Sequence, residues 1–424
     1  MRYPWLGCLF LGSLLFAGTQ DFYNVNTRYT VESVVVSGNG WTADTSSAGA
    51  DKLSSSLRKQ ISALIGGALN PAALDRIAGR LRQELDATTV TRHVVRGATP
   101  ACVKVVFQVE DKGARFDLAV PKFLYNSKQG GSGALEGGAK VNHNSLTVGL
   151  VSDGDELAER YAGLTARYEN TRLGSDSVHF QFEFDDFHEQ WNRATLDQMA
   201  PGPTGAPETA TAVYRTRQNF EPALTIVIAE PITLTVGASF ERFQNEYAGA
   251  RMEAADAATA SLRFHEQFDA SDYAQNVEAV YSLRAATPTL GSDFGYTRHR
   301  WGFRYRMNHG KHVVTDDVSA GVLTGTAPLY DRFVLGNSST LRGWNKFDLD
   351  PLGGNRMVHN SVDYRYGCFE AFYDAGAIWD SGVEPATIRY GVGAGLRQGS
   401  FSLAVAFPVR RGRADPILMM GMNY

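Results

Sequence analysis

The feature that most constrains the fold is a strict alternation of apolar and polar residues in many short segments. In residues 178–184 every second residue is Val or Phe, and the same period of two runs through residues 232–241 and 301–308. Successive side chains of a β-strand point to opposite faces, so this period predicts strands rather than helices. Gly, Asn, Asp and Pro separate the segments, as is typical of turns.

Sixteen such segments follow residue 114, eleven before and five after a Gly- and Ser-rich stretch at residues 326–355. The predicted strands are 115–125, 133–142, 145–152, 158–169, 176–185, 212–229, 231–244, 252–267, 272–285, 294–308, 311–325, 356–366, 368–380, 388–398, 400–409 and 416–424. Residues 186–211, with three prolines, are the main insertion outside that stretch.

Alternation alone allows a soluble sandwich, whose apolar face is the core, or a membrane barrel, whose apolar face meets lipid. Aromatic residues end several segments, including Tyr125, Tyr168 and Trp379. Bacterial barrels have an even number of strands, and lipid tolerates no open sheet edge. We therefore predict a mostly β fold with a 16-stranded antiparallel transmembrane barrel over residues 114–424, with residues 326–355 as an inward-folded loop.

The N-terminus predicts export. Arg2 precedes an apolar stretch from Trp5 to Phe16, and small residues follow that stretch. This pattern is typical of a secretory signal peptide, which we place at residues 1–19. The stretch is too short to cross a membrane as a helix, and no later segment offers about 18 consecutive apolar residues.

Composition and motifs exclude several other classes. The chain has 41 basic and 45 acidic residues for a net charge of −4, so no nucleic-acid partner is expected. Cys102 and Cys368 lack a second ligand nearby, which indicates isolated half-buried thiols and no metal. Residues 391–395 are Gly-rich but lack the context of a dinucleotide loop, and no hydrolase elbow or phosphate loop occurs. We expect no enzyme activity and no cofactor.

Residues 29–113 predict a small α+β domain before the barrel. A β-branched run at residues 30–37 leads into a Ser- and Ala-rich loop, two amphipathic helices and two strands. Asn70 and Pro71 supply the cap and first turn of the second helix. The order strand, helix, helix, strand, strand resembles a POTRA (polypeptide-transport-associated) domain, and it also occurs in generic α+β domains.

A charged residue between small ones marks the long stretch after the eleventh predicted strand. The motif there is Leu341, Arg342, Gly343 and Trp344. Strand parity turns four later residues toward the barrel lumen, namely Asp363, Phe372, Asp374 and Gly376. An Arg in such a loop suits a tip that folds inward to a buried carboxylate. A solvated surface Arg is the alternative.

Together these features resemble the BamA/TamA outer-membrane superfamily over residues 29–424. Members carry an Arg-Gly-aromatic tip on a long extracellular loop and Phe-x-Asp-x-Gly on the thirteenth strand. The resemblance implies that Arg342 pairs with Asp374 in the lumen, with Asp363 as a second acidic candidate where members carry Glu. We call Leu341 to Trp344 the loop-lock motif. Met422 stands where the terminal assembly signal usually has an aromatic residue, and only one POTRA-like unit is present in this sequence.

The resemblance implies an outer-membrane assembly or translocation factor that inserts or exports polypeptides, with its POTRA-like domain in the periplasm. Its implied partners are outer-membrane lipid and unfolded outer-membrane or secreted polypeptides, and a need for periplasmic accessory proteins is left open. The seam between residues 115–125 and 416–424 could open toward lipid, because Gly421 and a short final strand weaken it. A passive pore or lipid-related channel on the same scaffold is the alternative, and a soluble exported sandwich is a third reading.

Overall fold

A computed structural model gives the fold of the protein. It describes residues 28–38, 41–44, 53–85, 87–111, 114–175, 177–199, 214–245, 252–269, 273–383, 385–410, 412 and 415–422. The predicted signal peptide and the final residue Tyr424 lie outside these ranges. The chain divides into two compact units between residues 112 and 113.

The first unit is a four-stranded sheet with two helices. Its elements are β1 (Thr30–Gly38), β2 (Trp41–Asp44), α1 (Ser55–Ser62), α2 (Pro71–Glu84), β3 (Ala87–Arg96) and β4 (Cys102–Asp111). The strand order is β2-β1-β4-β3, with β1 and β4 parallel at the centre. The short β2 corrects the sequence prediction, which placed a loop directly after β1. It escapes a pattern search because it is only four residues long and pairs back on β1 as a tight hairpin.

Local chemistry explains where the two helices begin. The Ser54 hydroxyl accepts a hydrogen bond from the Leu57 amide at 3.1 Å, and the Asn70 side chain accepts from the Ala72 amide at 3.0 Å. Both contacts satisfy amides that have no partner within the helix. The apolar faces of the helices then pack on the sheet and bury residues such as Leu57, Leu81 and Phe107. The unit therefore has a hydrophobic core of its own.

The second unit is a closed antiparallel barrel. Its strands are β5 (Arg115–Asn126), β6 (Gly130–Val141), β7 (Asn144–Asp153), β8 (Arg160–Asn170), β9 (Val178–Gln190), β10 (Tyr214–Ala229), β11 (Ile232–Asn245), β12 (Met252–Ala254), β13 (Ala257–Asp269), β14 (Ala274–Ala286), β15 (Gly295–His309), β16 (His312–Thr326), β17 (Arg356–Tyr366), β18 (Phe369–Trp379), β19 (Arg389–Gln398), β20 (Phe401–Pro408) and β21 (Ile417–Met422). Because β12 and β13 both pair with β11 along one line, they form one interrupted strand, and the barrel has sixteen strands. This confirms the predicted fold class and count, and it excludes the exported sandwich.

Two details of the barrel differ from the sequence prediction. The strand β9 continues to Gln190, and a helix, α3 (Arg193–Met199), follows it. The predicted insertion at residues 186–211 therefore begins later than expected and contains ordered structure. The eighth predicted strand, 252–267, is broken at Ala255 and Asp256, where Asp256 accepts hydrogen bonds from the Glu241 amide and from Arg242.

The two faces of the barrel differ in chemistry. Along β18, Phe369 and Tyr373 are exposed on the outside, whereas Phe372 and Asp374 are buried inside. The exposed outer side chains of the other strands include many large apolar ones, such as Leu150 and Phe303. An apolar outer band with a polar interior is the pattern of a barrel in lipid. Turns at one end are short, whereas long connections, including residues 327–355, lie at the other end.

No helix in the described part of the chain combines the length and apolar character needed to cross a membrane.

Candidate functional site

The connection between β16 and β17 enters the barrel and turns sharply there. Asn337 organises this turn, because its Oδ1 accepts hydrogen bonds from the amides of Ser339 at 3.0 Å and Thr340 at 2.7 Å. Leu341 follows with a φ of 46°, in the left-handed region that side-chain-bearing residues rarely adopt. Leu341 is nevertheless fully buried, and its amide donates to His359 Nε2 at 3.1 Å. The turn thus holds the next residue, Arg342, in one direction.

Arg342 lies between two carboxylates of neighbouring strands. Its Nε donates to Asp374 Oδ2 at 2.9 Å and its Nη2 to Asp374 Oδ1 at 2.8 Å, so the pair is bidentate. The Arg342 amide also donates to Asp374 Oδ2 at 2.8 Å. On β17, Asp363 Oδ1 accepts from Arg342 Nη1 and Ser361 Oγ accepts from Nη2, both at 2.7 Å. Bidentate, charge-assisted contacts of this kind are among the strongest hydrogen bonds in proteins.

Phe372 completes this group of residues. The guanidinium carbon of Arg342 lies 3.7 Å from the centroid of the Phe372 ring, within the range of a cation–π contact. Arg342, Ser361, Asp363, Phe372 and Asp374 together are called the tip cluster below. Asp374 has no exposed surface, whereas the Asp363 side chain is 24% exposed toward the lumen. One of the two carboxylates therefore keeps contact with water.

Two glycines allow the tip to approach the wall. A Cβ on Gly343, whose φ is 92°, would lie 2.7 Å from the backbone of Phe407, and a Cβ on Gly391 would lie 2.1 Å from the Arg342 carbonyl oxygen. Neither position accepts a side chain without movement of the backbone. The Gly-rich residues 391–395, for which the sequence excluded a dinucleotide loop, thus include a specific seat for the loop.

The remaining predicted residues lie close to the tip cluster without joining it. The Trp344 indole donates to the Tyr390 carbonyl oxygen at 2.7 Å. At Gly376 an added Cβ would lie 3.1 Å from the side chain of Leu335, so this glycine makes room for another part of the loop. The structure therefore brings Arg342, Asp363, Phe372 and Asp374 together and leaves Gly376 as a packing position.

Lys346 is an anchor that sequence reasoning missed. The residue is 1% exposed, and its ammonium donates to the backbone carbonyls of Gly154 at 2.6 Å, Asp155 at 3.2 Å and Leu157. Burial lowers the pKa of Lys346 to about 8, against the opposing influence of the nearby acidic residues Asp155, Glu159 and Asp153. Nothing in the sequence marks these carbonyls, because they belong to the connection after β7. The same connection holds the turn through Asp155, which accepts from the Ser338 amide at 3.0 Å.

A second charged group holds the beginning of the loop. Its members are Glu159, Glu189, Tyr214, Arg217, Glu241, Arg284, Tyr296, Tyr330 and Asp331, and it is called the base cluster below. Two residues of the loop reach the wall there. The Tyr330 hydroxyl donates to Glu241 Oε2 at 2.8 Å, and Asp331 forms an ion pair with Arg284 at 3.3 Å and accepts from the Tyr296 hydroxyl.

The base cluster contains an excess of buried acid. Arg217 contacts Glu189 at 3.3 Å and Glu241 at 3.4 Å, and Arg284 also binds Glu241. The Tyr214 hydroxyl donates to Glu159 Oε1 at 2.7 Å, but Oε2 of Glu159 and Oε2 of Glu189 have no partner among the described atoms. Sequence reasoning missed this cluster because its members come from five different strands and two connections.

Aromatic residues surround the base cluster. Tyr214, Phe243 and Tyr330 pack with ring centroids 5.4–5.8 Å apart. Together with Phe333, Leu335, Leu341 and other loop residues they form a continuous apolar core within the barrel. The end of the lumen that carries the long connections is therefore filled by packed side chains.

Within the described ranges, no group of three or more His, Cys, Asp or Glu is arranged to hold a metal ion. Both cysteines that follow the predicted signal are free. Cys102 is half-buried as expected, but Cys368 is exposed, because it lies in the tight turn between β17 and β18.

A closed sixteen-strand barrel with an apolar outer face and a loop folded into its lumen defines an outer-membrane β-barrel protein. The chain belongs to the Omp85 superfamily, since residues 144–418, well over half of its length, match the Omp85 superfamily domain. Family membership also confirms the expected resemblance and the bacterial outer membrane as its location. No curated protein matches the sequence significantly.

Solved structures show the same fold. The chain is similar to BamA from Haemophilus ducreyi lacking POTRA domains 1–3, with 16% identity, a TM-score of 0.66, and coverage of 93% of this chain and 84% of that one. It is similar to CdiB from Escherichia coli, with 12% identity, a TM-score of 0.51 and coverage of 93% and 90%. It is also similar to CdiB from Acinetobacter baumannii, with 12% identity, a TM-score of 0.54, and coverage of 93% of this chain and 73% of that one.

Proposed function

We propose that this protein inserts other polypeptides into the outer membrane or exports them across it. The observation that carries the proposal is the weak closure of the barrel. Within the described residues, which end at Met422, the strands β21 and β5 pair through four residue pairs, from Met419 with Asn126 to Met422 with Phe123. By comparison, fifteen pairs join β15 and β16. Membership in the Omp85 superfamily agrees with this reading.

The first part of β5 is suited to receive another strand. In the described part of the chain, residues 115–119 pair with β6 on one side and with no strand on the other. Phe116 and Leu118 are each 78% exposed on this strand. Edge strands with free backbone groups bind further strands, and in lipid such an edge is especially costly to leave unpaired. A client strand that pairs there would satisfy these groups at the membrane.

We further propose that the first unit is a POTRA domain that receives extended clients. Its sheet order places β3 at an edge, where β4 is its only partner among the described strands. Val94 and Val95 are each 44% exposed on that strand. An extended peptide can add to such an edge through main-chain hydrogen bonds. The proposed clients are unfolded outer-membrane or secreted polypeptides.

The tip cluster is proposed to hold the loop in place while the seam opens. Arg342 connects the loop to β17 and β18, which both lie on one side of the seam, with β19 and β20 between them and the seam strand β21. The packed core around Tyr330 and Leu341 supports this reading over the alternative of a passive pore, because a water-filled path would have to displace it. Arg342 is therefore proposed as a structural residue rather than a catalyst.

The test is a disulfide across the seam. Tyr125 and Met420 are register partners on the outer face, so Cys at both positions, in a chain with Cys102 and Cys368 replaced by Ser, can close the seam covalently. We expect oxidation to stop the assembly of outer-membrane and secreted proteins in cells that depend on this variant, and reductant to restore it.

The matched control places the same disulfide between Leu396 and Leu403, register partners of the neighbouring pair β19 and β20. This variant is expected to work when oxidised. Normal outer-membrane and secreted proteomes with the seam closed, together with a large steady conductance in planar bilayers, would instead favour the passive pore.

A further inference from the structure

A row of arginines lines one wall of the lumen. On β15 the inward positions hold Arg298, Arg300, Arg304 and Arg306, in strict alternation with outward residues except for Gly302. Two of these, Arg304 and Arg306, face a cavity of about 370 Å³ between the loop tip and the short-turn end of the barrel. The cavity is lined by Arg304, Arg306, Arg342, Arg365 and Arg397 and by three carboxylates, Asp317, Asp363 and Glu370.

Each carboxylate of the cavity is already paired with one arginine. Arg304 binds Asp317 at 2.5 Å, and Arg397 binds Glu370 at 2.6 Å. Asp363 is bound by Arg342 at 2.7 Å. Asp374 does not line the cavity, but it also binds Arg342 at 2.8 Å and adds one negative charge to the pair of Arg342 and Asp363.

Arg306 and Arg365 are left without an acidic partner. Among the described residues, neither forms an ion pair: Glu370, which lies opposite Arg365 on β18, is bound by Arg397, and the one polar side-chain contact of Arg306 is to Asn308 Oδ1 at 3.3 Å. Arg300 adds a further exposed cation at the adjoining cavity, where Ser339 and Thr340 of the loop also lie. The cavity therefore has an excess of positive charge, although the barrel residues around the loop base have an excess of acid.

The register brings the two unpaired arginines to one place. Arg306 on β15 lies opposite Thr315 on β16, and Arg365 on β17 lies opposite Val313, two residues away from Thr315. Strands are about 4.8 Å apart and residues rise about 3.3 Å along a strand, so the two arginines, two strands and two residues apart, start about 12 Å from each other. Both side chains line the same cavity as Thr315. The residue directly opposite Thr315 on β17 is Asp363, whose Oδ1 is bound by Arg342 at 2.7 Å. The two guanidiniums can approach an anion over the Thr315 hydroxyl diagonally across β16, beside this paired carboxylate.

We propose that Arg306, Arg365 and Thr315 form a binding site for a phosphate-type oxyanion in the lumen. Arginine binds phosphate oxygens with paired N–H groups, and a tetrahedral anion offers acceptors in all three directions from which these residues approach. A planar carboxylate can have both of its oxygens bound by one guanidinium, so it would make less use of donors that approach from three directions. The ligand is either free phosphate or the phosphate group of a small ester, since both share this chemistry. The site does not depend on the proposed handling of polypeptides.

The test is calorimetric titration of the folded full-length protein in detergent, at physiological ionic strength set with chloride. Inorganic phosphate and glycerol phosphate are the two probes, and tighter binding of one identifies the source of the phosphate group. We expect the double variant Arg306→Gln, Arg365→Gln to lose affinity about tenfold or more, because each charge-assisted hydrogen bond contributes about that factor.

Arg167→Gln is the matched control. Arg167 lies on the inner face of β8, is paired with Glu183 at 3.2 Å and does not line the cavity, so its loss removes one positive charge from another wall, against two in the double variant. Heat-modifiable migration on gels verifies that each variant is folded. Equal losses of phosphate affinity in the control and the double variant would mean that the overall positive charge of the lumen, rather than a specific site, attracts the anion. That result would overturn the proposal. Absence of binding by both probes at this ionic strength would overturn it as well.

Discussion

The same loop is held at two places by clusters with the same sign of excess charge and different surroundings. At the tip, one guanidinium lies between two carboxylates, Asp363 and Asp374. At the base, two guanidiniums, Arg217 and Arg284, lie among four carboxylates. The tip cluster opens onto the arginine-lined cavity through the half-exposed Asp363, whereas the base cluster is enclosed by aromatic rings.

This difference shows why counting charges does not predict stability. Asp374 accepts three hydrogen bonds from Arg342, so its negative charge is fully compensated. Among the described residues, Glu189 accepts one hydrogen bond, from Arg217, and its second oxygen has no partner. A buried carboxylate stabilises only when donors surround it. Replacing the carboxylate by an amide should therefore lower the free energy of unfolding at Asp374 and raise it at Glu189.

The largest effect is expected at the tip. Asp374→Asn replaces one acceptor oxygen by an amide that faces the N–H groups of Arg342, so a buried guanidinium loses its main partner. We expect a loss of about 3–5 kcal/mol in the free energy of unfolding, measured by urea titration in lipid vesicles. The loop should also become sensitive to protease near Arg342.

Asp363→Asn is the control for this variant. Asp363 has 24% of its side chain exposed and makes one hydrogen bond to Arg342, so its loss should cost only about 1 kcal/mol. Equal effects of the two substitutions would contradict a dominant role for the bidentate pair.

A pH effect of intermediate size on the free energy of unfolding is expected at Lys346. This residue lies between the two clusters, and its ammonium is bound by backbone carbonyls rather than by carboxylates. Its native pKa of about 8 lies below the ordinary value of 10.5, so the unfolded chain binds the proton more tightly. Between these values the native state releases the proton and the unfolded state keeps it. The free energy of unfolding should therefore rise with pH across this window, by about 1–3 kcal/mol.

The measurement compares urea unfolding of the natural protein with that of Lys346→Met at several pH values between 8 and 10.5. The variant has no group to titrate at this position, so the natural protein should gain stability relative to it as the pH rises. Parallel pH profiles would rule out a depressed pKa at Lys346.

The smallest effect, and one of opposite sign, is expected at the base. Glu189→Gln removes a negative charge next to Glu159 and gives the site a donor where the carboxylate oxygen had none. We expect the free energy of unfolding to rise by up to about 1 kcal/mol. Glu241→Gln is the control and should destabilise, because Glu241 accepts from Arg217, Arg284 and Tyr330. If both Glu189→Gln and Glu241→Gln lowered the free energy of unfolding, the predicted difference between the tip cluster and the base cluster would be wrong.

Much of the fold could be predicted from the sequence, because each strand carries its own period of two. The strand number and the approximate limits of all sixteen strands followed from that local pattern. The pattern failed where tertiary contacts decide: β2 exists only because it pairs with β1, and the break at Asp256 exists because this carboxylate binds Arg242.

Less of the site could be predicted. Arg342 and Asp374 stand in short motifs, and parity placed both acids of the tip cluster on the inner face. The carbonyls that hold Lys346 and the seat at Gly391 carry no sequence signal, because any residue has a carbonyl and barrels contain many glycines. The base cluster joins residues between Glu159 and Asp331, and no motif spans that separation.

By itself, the sequence determined a barrel with an inward Arg on a long loop, because side-chain alternation and turn chemistry act over a few neighbouring residues. Only the tertiary structure decided which charges meet. Closure of the barrel sets the register between strands that are distant in the chain, and a guanidinium finds its carboxylate only through that register. Arg342 could be read from its neighbours in sequence, whereas Glu241 and Arg306 acquired their partners, or the lack of them, from the opposing strands.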